Sequence, residues 1–252
     1  MIDFSKIKFR ASSWGNLMVE PATKKDKEAG ILSKTCQKEL IKIYCQEKYG
    51  RKKDITSKHM DKGIQAEDDS IQLFSLVEGK EFKKNTEKLE NDWATGLLDL
   101  YEGEEITISE TVWDIKSRWE LETFTPKLLE EADASEICQL NVYYALTGAK
   151  GGGIVNTLVD CPINILMDEQ RRLLFSMNVA TEESPEYILA AAELERLLTF
   201  PDIPPEERVI KQIVARDNEL IAAMEAKAPK MRQWLQDFHE RHMSLYPKKR
   251  LP

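Results

Sequence analysis

Two carboxylates set inside apolar, strand-like runs constrain this chain more than any other feature. Gly96-Leu97-Leu98-Asp99 places one acid in a segment, Trp93 to Tyr101, that otherwise reads as a strand. Val112-Trp113-Asp114-Ile115-Lys116 belongs to a second, Ile106 to Lys116, with Glu102-Gly103-Glu104 as the hairpin turn between them. Residues two apart on a strand share a face, so Asp114 and Lys116 point one way and Ile115 points into the core. If the strands pair, Asp99 and Asp114 converge and repel, and a divalent cation relieves the repulsion. Oxygen-only ligation suits Mg²⁺ or Mn²⁺, which keep bound waters and take phosphate oxygens. Lys116 beside such an ion would orient or deprotonate a water, or stabilise charge on a phosphate.

The flanking segments add to this pair. Ser12 or Ser13 caps a short helix through Trp14 and Leu17. Lys25 to Tyr49 reads as a helix stopped by Gly50, and a second helix runs from a Thr56 or Ser57 cap to Glu78. In that second helix Gly63 and Glu67 lie one turn apart on one face, which turns Glu67 toward the strand acids. Glycine inside a helix costs about 1 kcal/mol relative to alanine, so close approach of a backbone or a ligand is a reason to have it there. Glu81 to Lys84 reads as a further short strand. Ala132 to Leu146 reads as a helix whose Gln139 and Tyr143 share a face and reach a nucleotide or the surroundings of Lys116. Gly152 to Val159 is a strand, Glu183 to Leu198 a helix, Arg208 to Ala215 a strand, and Asp217 caps a long last helix that Pro229 should kink or interrupt. The order is that of an α/β core with helical flanks.

The 252 residues, 42% apolar and 32% charged, suit one large domain with a core of its own. No apolar run reaches the ~18 residues of a membrane span, and the first residues lack a signal-peptide pattern. The expectation is a soluble, cytoplasmic protein with reduced thiols. The formal charge of −8 argues against a general nucleic-acid coat, but its distribution is uneven. Residues 24–62 carry twelve Lys/Arg against six Asp/Glu, and residues 229–252 carry six against two, which leaves −18 for the remainder. A segregated basic stretch binds phosphates even on an acidic chain, although a solvated helix face reads the same way.

Other motifs are weaker. Cys36, Cys45, Cys138 and Cys161 lack the close spacing of an iron–sulfur ligand set, so no cluster is expected, and the helical ones fit apolar packing. His59, His239 and His242 form no zinc pattern and read as surface residues. Gly151-Gly152-Gly153 lacks a Walker ending and reads as a flexible turn, so no ATP motor is expected. Met231, Trp234, Leu235 and Phe238 form a stripe on the last helix, for packing on its own domain or for docking an oligomer or annealing partner. Lys248-Lys249-Arg250 reads as a tail that is solvated or touches DNA.

The ordered set of helix G-x-x-x-E, strand G-x-x-D, strand D-x-K and helix Q-x-x-x-Y resembles the PD-(D/E)XK nucleases. It is similar in particular to the RecB-like and phage lambda-type (YqaJ-like) exonucleases, over roughly residues 8–160. Asp114 stands where Glu is more frequent, and Arg10-Ala11-Ser12-Ser13 resembles the short segment that precedes the core in phage exonucleases. The resemblance implies one nuclease domain: a restriction-endonuclease-like core (a central mixed sheet flanked by helices) with additional N- and C-terminal helices, the C-terminal extension covering about 161–252. It implies Asp99, Asp114 and the Ile115 carbonyl as ligands of Mg²⁺ or Mn²⁺, and Glu67 completing the site or serving a second ion. Lys116 would position the attacking water, Gln139 and Tyr143 would hold the DNA strand, and Arg10 and Ser12 would contact a terminal phosphate. The activity implied is a Mg²⁺-dependent exonuclease at duplex DNA ends, in phage or prophage recombination or repair, with a single-strand annealing protein as partner and a homotrimer as its assembly. A structure-specific or nicking endonuclease on the same core, and a non-enzymatic DNA-binding or scaffold protein, are the competing readings.

Overall fold

The computed structural model describes residues 2–51, 58–179 and 181–246, with the backbone alone over 58–65. The Thr56 or Ser57 cap, the Lys248 to Arg250 tail and the side chain of His59 lie outside the described residues. Strand β1 (Phe9–Arg10) leads through a 3-10 turn into α1 (Trp14–Met18). The expected helix from Lys25 to Tyr49 is two helices, α2 (Lys24–Glu28) and α3 (Lys34–Tyr49). The break has a local cause. Gly30 takes φ +67°, and the Ser33 hydroxyl accepts the Cys36 N–H at 3.1 Å, which starts a new helix. Helix α4 (Lys58–Glu78) follows and ends before Gly79.

The hairpin differs from the expectation. Residues 81–88 form no strand. The run Trp93 to Tyr101 splits into β3 (Ala94–Gly96), which pairs with β1 and with β2 (Leu89–Glu90), and β4 (Leu100–Glu102), which belongs to another sheet. Ile106–Ile108 is a 3-10 turn, and the second long strand is β5 (Thr111–Arg118). After the short α5 (Leu121–Phe124), helix α6 (Ala134–Thr147) crosses over to β6 (Gly151–Leu158), parallel to β5. Helix α7 (Ile163–Met177) was not anticipated, although Pro162 before it and Asn178 at φ 53° after it mark its ends. Helix α8 (Pro185–Leu198), strand β7 (Val209–Ala215) and helix α9 (Asn218–Ser244) complete the chain.

The four-stranded sheet, in the order β4-β5-β6-β7, is mixed: only β5 and β6 run parallel. The central strands β5 and β6 are buried at consecutive positions because helices cover both faces there, whereas the edge strand β7 is exposed at every second residue. Val112, Ile154 and Val214 pack with α6, α9, α1 and α3 in the main core. Trp113, Ile115 and Val155 pack on the other face against Ile71 and Phe74 of α4. This is the expected α/β architecture, a restriction-endonuclease-like sheet between helices.

The strand expected from Gly152 is present as β6 and starts at Gly151, so the flexible turn expected of the three glycines is absent, and two of them are tightly packed. A Cβ on Gly152 would lie 1.8 Å from the Val112 carbonyl oxygen, and one on Gly153 would lie 2.4 Å from that of Gln212. They are glycine because the neighbouring backbones come too close for anything larger. Helix α9 runs on through Pro229 without interruption. Ala228, Met231 and Leu235 around it are fully buried, and burial of that face offsets the roughly 3 kcal/mol that an interior proline costs. Trp234 and Phe238 pack on the same core, so the stripe is covered by its own domain. His239 and His242 are not simple surface residues: they bond the hydroxyls of Tyr44 (3.0 Å) and Tyr49 (3.2 Å), tying α9 to α3. Cys36 and Cys138 sit in the core, where burial pushes the Cys36 thiol up to about 11. Among the described residues no helix is long and apolar enough to cross a membrane.

Candidate active site

The site forms where the first expected strand breaks. Leu97 to Asp99 links β3 of one sheet to β4 of the other. The β4–β5 register (Leu100 opposite Trp113) would, if continued, set Leu98 opposite Ile115. Instead the ladder stops, and Asp99 Oδ2 accepts the Ile115 N–H at 2.7 Å. A side-chain carboxylate thus takes the place of a missing strand carbonyl and sits directly beside β5.

Asp114 projects from β5 toward α6 and is 2% exposed. Its Oδ1 accepts from Gln139 Nε2 at 3.1 Å. Gln139 Nε2 also donates to the Tyr143 hydroxyl at 2.9 Å, and that hydroxyl donates to the Leu97 carbonyl at 3.1 Å. Both amide hydrogens of Gln139 are therefore committed, one of them to the acid. Gly96 makes room for this relay: a Cβ there would stand 2.7 Å from the Tyr143 ring and 3.2 Å from Ala11. The G-x-x-D and Q-x-x-x-Y spacings are two halves of one contact.

Lys116 shares the Asp114 face, and its Nζ lies 2.5 Å from Asp114 Oδ2. That oxygen receives no well-directed hydrogen bond and is buried. Burial works against the charge on Lys116, but the Asp114 carboxylate, with Asp99 and Glu136, outweighs it and holds the ammonium above its usual range. Asp99 moves the other way for an acid. Desolvation, then repulsion from Asp114 and from Glu67, pushes its carboxyl up to about 7 against the Ile115 hydrogen bond.

Glu67 lies on α4, across the sheet from Asp114. A hydrogen bond of 2.6 Å between Ser70 and Ser117 clamps α4 to β5 just beyond Lys116. Glu67 adds to the repulsion that raises Asp99. Its Oε2, however, is 3.2 Å from the ammonium of Lys84, a residue the sequence pattern did not single out. Among the described residues, no three His, Cys, Asp or Glu side chains form a ready-made metal cluster. Lys116 is the one cation paired with Asp114 among the described residues, and Asp99 beside it accepts only the Ile115 N–H. The donor set, oxygen throughout, fits a hard divalent cation.

Arg10 and Ser12 make no direct contact with the acids. Arg10 is exposed on β1, opposite Thr95, and Ser12 is exposed on the following 3-10 turn; no hydrogen bond or ion pair joins either to the carboxylates. Arg10 borders a pocket of about 400 Å³ with Lys8, Ser13, Glu39 and Lys42. Ser13, rather than Ser12, makes a contact there, donating to Glu39 at 3.1 Å.

No family model and no curated protein matches the chain. Solved structures do. A phage-related exonuclease from Haemophilus somnus 129PT superposes with a TM-score of 0.71, over 94% of this chain and 97% of that one, at 24% identity. The alkaline exonuclease LHK-Exo of Laribacter hongkongensis superposes with a TM-score of 0.61, over 96% of each chain, at 13% identity. Its complex with dAMP gives the same score at 14% identity, over 96% of this chain and 97% of that one. The chain shares the fold of these exonucleases. The likeness covers 94–96% of this chain.

Proposed function

We propose that this protein is a divalent-metal-dependent DNA exonuclease, with Mg²⁺ or Mn²⁺ as its cofactor. The observation that carries the reading is the convergence of Asp99, Asp114 and Lys116 at the β4–β5 break, an all-oxygen acid pair with one ammonium beside it. Asp99, Asp114 and the Ile115 carbonyl would hold the ion, with Glu67 at its margin. A bound divalent cation supplies charge neutralisation on the phosphate and a lowered water pKa.

The chain's own residues supply the rest. Lys116 sets a fixed positive charge beside the position of the reacting phosphate, and it orients a water through its remaining N–H groups. Gln139 fixes the orientation of Asp114, and Tyr143 fixes Gln139 against the backbone of Leu97. Their part is to hold the acid that holds the ion, more than to grip the DNA strand. Arg10 and Ser12, both exposed, would contact a terminal phosphate of the bound strand. Processing of duplex ends in phage recombination or repair is the setting that suits this chemistry.

Linear and closed-circular duplex DNA, incubated with Mg²⁺, Mn²⁺ or EDTA, test the reading. Metal-dependent nucleotide release from linear DNA alone is expected, and Lys116→Ala should lower it by about 10²-fold or more. Cleavage of circles would replace the exonuclease with an endonuclease on the same site. A wild type that binds DNA equally with and without metal, and never cuts it, would leave a binding module instead.

Tyr143→Phe removes the donor to Leu97 and the hydroxyl acceptor for Gln139. A fall of about 10- to 100-fold in metal affinity or turnover is expected, as for other partners that orient a metal ligand. Mn²⁺ titration of the variant checks it, and unchanged affinity together with unchanged turnover would show that Asp114 needs no such support.

A further inference from the structure

The three acids of the proposed site already have two cations. Lys116 is paired with Asp114, and Lys84 Nζ sits 3.2 Å from Glu67 Oε2 and 3.1 Å from Asp68 Oδ1. The position of Lys84 is built. It lies on the irregular segment 81–88, held by Phe82 stacked on Phe74 with ring centroids 4.6 Å apart. On its other side, the Asn85 N–H donates to the Asp99 carbonyl at 2.8 Å, and the Asn85 side chain donates to the Leu98 carbonyl at 2.9 Å. Asn85 is itself buried. The backbone that carries Lys84 is thus fastened to the backbone that carries Asp99.

Charge counting gives this arrangement a consequence. With every group ionised, Asp99, Asp114, Glu67 and Asp68 against Lys116 and Lys84 leave two negative charges, which a single divalent ion neutralises. A second ion at Glu67 would face an ammonium already bound to its ligand and would be repelled by it.

We propose that Lys84 is the resident counter-cation of Glu67 and stands in for a second divalent ion. The chain then loads one ion through Asp99 and Asp114, and takes a second only when Lys84 leaves Glu67. This rests on the metal-dependent reading of the site. It makes Lys84 a positioning residue that sets metal stoichiometry, not a group that touches the substrate.

The test is Mn²⁺ binding to metal-stripped protein without DNA, counted by titration calorimetry and by electron paramagnetic resonance. Wild type, Lys84→Gln, Lys84→Arg and Asp99→Asn are compared. Wild type should bind one ion well and a second weakly. Lys84→Gln should tighten the second by on the order of tenfold, and Lys84→Arg should behave as wild type. Thermal melts without metal should coincide for wild type and Lys84→Gln, because half-exposed ion pairs contribute little. A second-ion affinity that is unchanged or weaker in Lys84→Gln overturns the inference, the weaker case meaning that Lys84 holds Glu67 ready for metal. If the first ion persists and is lost in Asp99→Asn, the site itself survives that failure. If no variant, wild type included, binds Mn²⁺, the reading of the site falls and the role of Lys84 falls with it.

Discussion

Asp99→Asn is expected to abolish metal-dependent cleavage and, at the same time, to raise the melting temperature of the metal-free protein at pH 8. The two effects have one origin. Asp99 is pushed up to about 7 in the folded chain by desolvation and by Asp114 and Glu67, whereas an unfolded aspartate titrates near 3.9. The folded state therefore holds this proton more tightly than the unfolded state does. Its stabilising contribution is complete below about pH 4 and is lost as the pH rises toward 7. At pH 8 the ionised group destabilises the metal-free fold by about 2 kcal/mol, a figure kept low because Asp99 retains some contact with solvent. Asparagine cannot ionise but still accepts the Ile115 N–H, so a gain of roughly 4–8 °C is expected at pH 8, shrinking toward pH 4. Calorimetric melts at the two pH values check it. Equal melting of wild type and variant at pH 8 would mean that the carboxylates do not strain the fold. Saturating Mn²⁺ should stabilise the wild type far more than the variant, since the ion binds only the folded site.

Gly152→Ala is the substitution with the largest expected structural cost. The added methyl would stand 1.8 Å from the Val112 carbonyl oxygen and 2.8 Å from its carbon, both backbone atoms of β5. No rotamer relieves a Cβ clash, so β5 and β6 must separate. Those strands are the centre of the sheet, paired from Thr111–Gly151 to Arg118–Leu158, and β5 carries Asp114 and Lys116. A loss of at least 4 kcal/mol is expected, since overpacking of this kind adds broken ladder bonds to steric strain. That is a large part of the stability of an ordinary domain. Expression and urea denaturation of the variant measure it, and a soluble variant within about 1 kcal/mol of wild type would show that the strands have room that this geometry denies them. The need for glycine here is legible only from the fold, because a strand from Gly152 does not reveal how close the Val112 backbone comes.

The same contrast runs through the site. Asp114 and Lys116 on one face with Ile115 on the other follows from strand periodicity, and the structure has it so: Ile115 packs against α4 while Asp114 meets Gln139 of α6. The pairing of Gln139 with Tyr143 follows from helical spacing in the same way. What these two side chains touch did not follow. Their use as props for Asp114, with Gly96 left bare for the Tyr143 ring, depends on α6 crossing over the β3–β4 break. The break itself was hidden, because Trp93 to Tyr101 is as apolar as a continuous strand and only the change of sheet divides it.

Part of the local order, then, was written in the sequence: the helices α4, α6, α8 and α9, the strands β5, β6 and β7 to within a few residues, and the shared face of Asp114 and Lys116. These are short-range properties, set by the alternation of a strand and the turn of a helix. Tertiary structure alone decided how close groups distant in the chain come to one another. It turned Gly152 and Gly153 into a tight strand contact and let α9 continue through Pro229 under the weight of its buried face. It also brought Lys84 to Glu67 by tying Asn85 to the backbone of Leu98 and Asp99. Such contacts are selected by packing across the core, where a few tenths of an ångström separate a hydrogen bond from a clash, and no local pattern in the chain encodes that distance.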